Sequence, residues 1–247
     1  MTTYVLVHGA FRGGWAWDRV APLLTAAGHD VVTPTLSGTA DGLGAWTDEV
    51  LAVVPDDAVL VGHSQGGVVV REVALRAPGR LRHVVYLDAA VPDAGERAVD
   101  LGGPPPELPP RDTLIPPRPL TAAGDLDADT AAWMNERLAP VPLAPSLDPV
   151  SPGEPAVATT YLFCTATPAA YPCGTTRSRL DERGTPYVWV EAGHDAPLTR
   201  PEAVAELLLR AATYEEKTAW VCSPAGRDGS SRTSPSATSI STRSAGP

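Results

Sequence analysis

Short, continuously apolar runs recur along the chain and alternate with segments in which apolar residues follow a helical period. The six runs lie at residues 4–7, 30–33, 58–61, 83–87, 159–163 and 187–190. Strands that are apolar without a break are typical of a sheet covered on both faces. Because helix-like segments separate these runs, the pattern predicts an α/β fold with a doubly wound, mostly parallel six-stranded sheet.

The region between the fourth and fifth runs interrupts this alternation. Fourteen of the 27 prolines fall within residues 104–155. Proline lacks a backbone N–H donor and breaks helices, so we expect no additional sheet here and one short helix over about residues 129–138. We predict a core formed by 1–92 and 159–216, and a cap or lid over 93–158. A long surface linker is the alternative for that insertion.

The end of the chain differs in composition from the rest. Twelve of the 31 residues in 217–247 are Ser or Thr, and Leu is absent. Such a segment cannot bury enough apolar surface to offset the entropy lost on ordering. We therefore predict a disordered, non-catalytic tail.

Charge and cysteine content narrow the possible partners. The net charge of −10 argues against nucleic acid or an anionic membrane surface as a partner, and no apolar run is long enough to span a bilayer. The three cysteines are odd in number and fit no metal spacing. The first strand begins almost at Met1, so we expect no signal peptide and a cytoplasmic location. We predict a small-molecule substrate, no cofactor and no metal, and leave the oligomeric state open.

The most informative motif is Gly62-His63-Ser64-Gln65-Gly66, which lies between a predicted strand and a predicted helix. A serine in this context sits on a turn so tight that its flanking positions must lack bulk. The turn exposes the hydroxyl of Ser64 beside the N-terminus of a helix, where backbone N–H groups point outward. The motif therefore predicts a nucleophile elbow. The alternative is a glycine-rich turn with an incidental serine.

Two further motifs follow predicted strands, one before the serine motif in the chain and one after it. His8-Gly9-Ala10 continues through Gly13-Gly14-Trp15 to Trp17 near the start, and Gly193-His194-Asp195 follows the last strand. With the serine motif, they make residues 3–212 resemble the α/β-hydrolase superfamily. Within this superfamily, the motif near the start of the chain resembles that of the branch of plant-type methylesterases, hydroxynitrile lyases and their bacterial esterase relatives.

This resemblance implies roles for several residues. His194 would be the base that activates Ser64, because a serine hydroxyl is a poor nucleophile at neutral pH. The backbone N–H groups of Ala10 and Gln65 would form the oxyanion hole, with Phe11 as a neighbouring option. Phe11, Trp15 and His63 are the predicted substrate-binding side chains.

The acid that orients the base is the point at which the sequence departs from the family pattern. The family usually places a carboxylate after the strand that precedes the histidine strand, and the aligned residue here is Thr167. Some members place it one strand earlier, where Asp88 stands. Asp88 is our candidate, with a turn-capping aspartate as the alternative. Asp93 is a poorer candidate, because Asp-Ala-Gly is a natural turn.

We predict a serine hydrolase that cleaves small, fairly apolar carboxylic esters, lactones or thioesters. A non-hydrolytic or attenuated binding protein is the alternative, because Thr167 carries no charge. Cyanohydrin cleavage is disfavoured: the look-alike lyases carry a threonine and a lysine where this chain has Gly9 and Asp195, and a carboxylate would repel cyanide.

Overall fold

The structure, a computed structural model, describes residues 1–103 and 107–212. The predicted tail at 217–247 lies outside the described residues, and its disorder stays a prediction. The strands in the described part are β1 (Thr3–Val7), β2 (Asp30–Val32), β3 (Ala58–His63), β4 (Leu81–Leu87), β5 (Leu114–Ile115), β6 (Val141–Pro142), β7 (Thr159–Cys164) and β8 (Val188–Val190). The α-helices there are α1 (Ala21–Ala26), α2 (Leu43–Leu51), α3 (Gly66–Arg76), α4 (Ala128–Asn135), α5 (Ala144–Leu147), α6 (Cys173–Arg183), α7 (Ala196–Thr199) and α8 (Pro201–Ala212).

Six strands form one sheet in the order β2-β1-β3-β4-β7-β8, and every neighbouring pair is parallel. The predicted α/β fold with a six-stranded parallel sheet is confirmed. In the register of the central strands, Val7 lies opposite Gly62 and His63 lies opposite Leu87. The carboxyl ends of β1, β3 and β4 therefore lie side by side. Ligands of open α/β sheets bind in the crevice outside these strand ends.

Alternate residues of the strands pack into two separate apolar layers, one on each face of the sheet. Tyr4 and Leu6 point into the layer that contains residues of α1 and α8, whereas Val5 and Val7 point into the layer that contains residues of α2 and α3. Covering both faces explains why these strands are continuously apolar. Within the described residues, no helix has the length and apolar character that a bilayer crossing requires.

The insertion between β4 and β7 contains more regular structure than the sequence indicated. The predicted helix is present as α4, but the expectation of no additional sheet is wrong. β5 and β6 form an antiparallel ribbon in which Leu114 pairs with Pro142. A strand of two residues needs few backbone donors, so proline does not prevent this pairing. The assignment of 93–158 as a cap stays a prediction.

A buried polar pair anchors the end of the insertion to α3. Glu72 accepts hydrogen bonds from the backbone N–H and the hydroxyl of Ser151, both at 2.7 Å. Arg71 donates to the carbonyls of Ser151 and Gly153 at 3.1 and 2.7 Å. Both side chains are almost fully buried, so these bonds compensate for their lost hydration. The returning chain is thereby fixed to the helix that begins just after Ser64.

Candidate active site

Ser64 occupies a strained turn between β3 and α3. Its φ of 54° lies in the left-handed region that a side chain rarely adopts. A Cβ at Gly62 would lie 2.9 Å from the carbonyl carbon of Gly66, and a Cβ at Gly66 would lie 2.7 Å from the carbonyl oxygen of Val7. Both positions therefore require glycine, as the strand-turn-helix context predicts.

Three side chains from three loops form a continuous hydrogen-bonded series. The Ser64 hydroxyl lies 2.9 Å from Nε2 of His194, and Nδ1 of His194 lies 2.6 Å from Oδ2 of Asp88. Because a carboxylate only accepts, Nδ1 carries the proton, and Nε2 is free to accept from the serine. The structure thus brings together the three residues singled out in the sequence.

Asp88 is held in place by groups from the neighbouring strand and the loop after it. Its carboxylate accepts hydrogen bonds from the backbone N–H of Cys164 at 3.1 Å and from the hydroxyl of Thr167. Burial by itself would raise the pKa of Asp88, but the bonds from His194, Thr167 and Cys164 outweigh it and hold the pKa below its usual value. Asp88 is therefore an anion beside His194, and Thr167 at the usual acid position bonds to it. Asp93 instead pairs with Arg183.

The loop that carries His194 is fixed from several directions. Nε2–H of His63 donates to the carbonyl of His194 at 2.8 Å, and the carboxylate of Asp125 in the insertion accepts from the backbone N–H of Gly193 at 3.0 Å. Arg12 forms a nearly buried ion pair with Asp195, with Nε 2.9 Å from Oδ1. Asp125 and Arg12 were missed at the sequence level, because no local pattern marks partners that lie 68 and 183 positions away.

The loop after β1 presents backbone donors next to Ser64. Phe11 has a φ of 66°, and the carbonyls of Ala10 and Phe11 accept from Nη1 of Arg12 at 2.9 Å and from the backbone N–H of Ala139 at 3.0 Å. No residue in the described ranges accepts from the backbone N–H groups of Ala10 and Gln65. The two predicted oxyanion donors are therefore available to a ligand.

A model of the alpha/beta hydrolase family matches residues 4–207. The chain belongs to the alpha/beta hydrolase family. This hydrolase is 36% identical over 174 residues to a carbendazim hydrolyzing esterase from Nocardioides sp., an alignment that covers 58% of this chain and 71% of that protein. It is also 36% identical over 105 residues to salicylic acid-binding protein 2 of Nicotiana tabacum. This alignment covers 37% of this chain and 40% of that protein. The chain thus spans less than half the length of this plant relative.

Solved structures support the same fold. A crystal structure of a polyneuridine aldehyde esterase variant is similar to this hydrolase with a TM-score of 0.71, over 85% of this chain and 98% of that chain, at 22% identity. An extracellular alpha/beta-hydrolase from a Paenibacillus species has a TM-score of 0.69 at 23% identity, over 85% and 99% of the two chains. At this level of identity the likeness concerns the fold alone.

A cavity of about 560 Å³ opens beside Ser64 and His194. The side chains that line it are mostly apolar and come from both the core and the insertion; they include Phe11, Val68, Ile115, Leu120, Leu138 and Tyr171. Phe11 thus lies on the cavity wall, and its contact with substrate stays a prediction. Trp15 and His63 do not line this cavity, and the prediction that they contact substrate does not fit the geometry. Trp15 packs against Trp133, and His63 is 1% exposed and is hydrogen-bonded to the histidine loop.

One group of donor atoms has a spacing compatible with a metal ion. Among the described residues, ligand atoms of Asp88, Cys173 and His194 lie within 4.8 Å of one another. Burial, and then the charge of Asp88, raise the pKa of the Cys173 thiol to about 12. In this structure Asp88 and His194 already bond to each other at 2.6 Å, so the three groups form a hydrogen-bonded pair with a thiol beside it.

Proposed function

We propose that this alpha/beta hydrolase is a serine hydrolase that cleaves small, fairly apolar carboxylic esters, lactones or thioesters through an acyl-enzyme. The observation that carries the proposal is the hydrogen-bonded series from Ser64 through His194 to Asp88. A nucleophile, a base and an orienting carboxylate in this geometry are the groups that acyl transfer requires. Named esterases among its relatives add support.

In the first half-reaction, His194 Nε2 takes the proton of Ser64 as its oxygen attacks the ester carbonyl. The negative charge on the carbonyl oxygen is stabilised by the backbone N–H groups of Ala10 and Gln65. As the intermediate collapses, the proton on Nε2 passes to the leaving alcohol, and the acyl group stays on Ser64. A water molecule then attacks this ester with His194 as base, and Ser64 regains its proton as the acid leaves. Asp88 stabilises the imidazolium in both steps.

The reason for considering an attenuated binding protein was the neutral Thr167 at the usual acid position. Asp88 supplies a carboxylate 2.6 Å from His194, so this reason is removed. Cyanohydrin cleavage gains no support either. Asp195 places a carboxylate next to His194 where the lyases have a lysine, and the Arg12 charge is already paired with that carboxylate. We also propose that 93–158 caps the cavity, since Ile115 and Leu138 of that segment line it.

A cytoplasmic location is part of the proposal. Cys164 and Cys173 are both free and buried in the structure, a state compatible with a reducing compartment. Measuring the protein in separated cell fractions tests this point independently of catalysis.

Ser64→Ala tests the proposed chemistry. We expect it to abolish hydrolysis of p-nitrophenyl esters, because it removes the nucleophile, and to leave the circular dichroism spectrum unchanged. A fluorophosphonate should add once to the wild-type protein, on Ser64, as read by peptide mass spectrometry. Ser178→Ala, which removes an exposed hydroxyl from helix α6, is the control and should retain both properties. Full activity of Ser64→Ala, or labelling at another residue, would contradict the proposal.

A further inference from the structure

The cavity wall holds one exposed arginine, Arg118, whose charge no described residue neutralises. Arg12, Asp88, Arg118 and His194 are its lining residues that can carry a charge. Arg12 is paired with Asp195, and Asp88 is bonded to His194. Arg118 has neither an ion pair nor a hydrogen bond with any residue in 1–103 or 107–212.

Arg118 is unusual among the arginines of this protein. Within the described part of the chain, every other arginine contacts a carboxylate, another oxygen or an aromatic ring. Acidic residues outnumber basic ones by 29 to 19 in the whole chain, so partners are plentiful. An exposed guanidinium on the wall of the active-site cavity, without a partner among the described residues, points to a ligand that supplies the missing charge.

The backbone around Arg118 is rigid. Pro117 and Pro119 flank it, and each proline ring fixes its own φ. On one side, the ribbon pairs Ile115 with Val141. On the other side, the Asn135 side chain accepts from the N–H of Leu120 at 2.8 Å and donates to its carbonyl at 2.9 Å. The backbone that carries Arg118 is thus held on both sides, so ligand binding needs to order only the side chain.

We infer that this hydrolase acts on esters that carry a carboxylate remote from the scissile carbonyl, and that Arg118 binds this carboxylate. The inference rests on the proposed esterase function, since it assigns the substrate class of the same site. A guanidinium matches a carboxylate in geometry and in charge. A carboxylate carries one negative charge, which matches the one guanidinium of Arg118, whereas a phosphate dianion would exceed it. The apolar lining would contact the carbon chain between the carboxylate and the ester.

Two matched pairs of esters test the substrate class. In the first, the carboxylate is on the acyl half: mono-p-nitrophenyl adipate against p-nitrophenyl hexanoate. In the second, it is on the alcohol half: para-acetoxybenzoate against para-tolyl acetate. We expect wild-type kcat/KM to favour the anionic member in at least one pair, and added salt to reduce this preference.

Arg118→Gln tests the residue. It should lower kcat/KM for the preferred anionic ester about tenfold more than for its neutral partner, mainly through KM. Arg118→Lys should retain part of the preference, because it keeps the charge and loses the planar fork. Arg76→Gln removes the same charge from a surface ion pair with Asp48 and should leave the preference unchanged.

Equal use of anionic and neutral esters by the wild type and by Arg118→Gln would overturn the inference while ester hydrolysis itself stands. An Arg76→Gln effect as large as that of Arg118→Gln would also overturn it, because the preference would then come from overall charge. If Ser64 is not labelled by a fluorophosphonate and no ester in either pair is cleaved, the proposed function fails first. The circular dichroism spectrum serves as the folding control for each variant.

Discussion

At the residue scale, the candidate site concentrates backbone strain. Phe11, Ser64 and Asp88 have φ values of 66°, 54° and 46°, and among the described non-glycine residues only Asp57 shares this region. Each such conformation costs about 1–3 kcal/mol and persists only where the surroundings determine it. All three residues directly follow or lie near the end of a buried strand. The strained turns place the side chains of Ser64 and Asp88, and the backbone donors of the loop that contains Phe11, around His194.

Asp88→Asn should lower kcat by about three to four orders of magnitude with little change in KM. An asparagine amide no longer favours the Nδ1–H tautomer of His194, and it cannot stabilise the imidazolium that forms in the transition state. Steady-state kinetics with a neutral p-nitrophenyl ester measures the effect. Asp93→Asn is the matched control, since Asp93 pairs with Arg183 on the surface, and it should retain most activity.

Kinetic and stability measurements together distinguish an orienting role of Asp88 from a turn-capping role. If Asp88 served only as a turn cap, Asp88→Asn would cost at most about 1–2 kcal/mol of stability and little rate. A fast Asp88→Asn enzyme with a lowered melting temperature would therefore refute the assignment. Thr167→Asp should not increase activity, because the new carboxylate would face the anionic Asp88 rather than His194.

At the element scale, the loop after β8 depends on the loop after β1. The Arg12–Asp195 ion pair joins them, with side chains only 9% and 12% exposed. Nη1 of Arg12 also holds the carbonyl of Ala10, next to the proposed oxyanion donor. Burial would raise the pKa of Asp195, but the adjacent Arg12 guanidinium holds it below its usual value. The pair therefore couples the position of the base to the shape of the oxyanion loop.

Asp195→Asn should reduce both kcat and stability. It leaves the Arg12 charge nearly buried without a counterion, which costs about 3–5 kcal/mol. Adding Arg12→Gln removes that charge, so the double variant should recover part of the stability but not the rate. Urea denaturation and kcat on a neutral ester are the measurements. A double variant with wild-type kcat would mean that the ion pair has no positioning role.

At the scale of the whole molecule, buried histidines make stability depend on pH, and the pKa values of His8 and His63 are lowered most strongly. Burial lowers the pKa of His8 to about 4 and, with the charges of His194 and Arg12, that of His63 to about 3. Nδ1–H of His8 donates to the carbonyl of Gly9, and Nε2 accepts from the N–H of Leu36 at 3.0 Å, an arrangement that only the neutral ring can make. Both rings must stay neutral in the folded protein.

The free energy of unfolding should therefore be highest above pH 6.5 and fall on acidification. The folded pKa of each histidine lies below the unfolded value of about 6.5, so the unfolded chain binds protons first as pH drops. Each group removes at most about 1.4 kcal/mol per pH unit between about pH 6.5 and its folded pKa. Urea denaturation at several pH values measures this slope, and His63→Gln should reduce it. Equal slopes in the two proteins would show that His63 is not the source.

The sequence by itself determined the sheet, the position of the elbow and the strand ends that meet there. Apolar runs define strands because both sheet faces must be buried, and the boundaries moved by only one or two residues. Gly62 and Gly66 mark the elbow because no Cβ fits beside the neighbouring backbone. The parallel order then explains why segments that begin at His8, Ser64 and Asp88 come together.

Tertiary structure decided what depends on side-chain direction and on distant partners. Asp88 is a strained residue whose orientation is set by the N–H of Cys164 and by Thr167, so its sequence position alone left a turn cap equally plausible. Trp15 and His63 lie near functional residues in sequence, yet their side chains point to Trp133 and to the histidine loop. Arg118 is notable only because no partner in the described chain reaches it. Such features arise from packing between segments far apart in the chain, which periodicity and spacing do not encode.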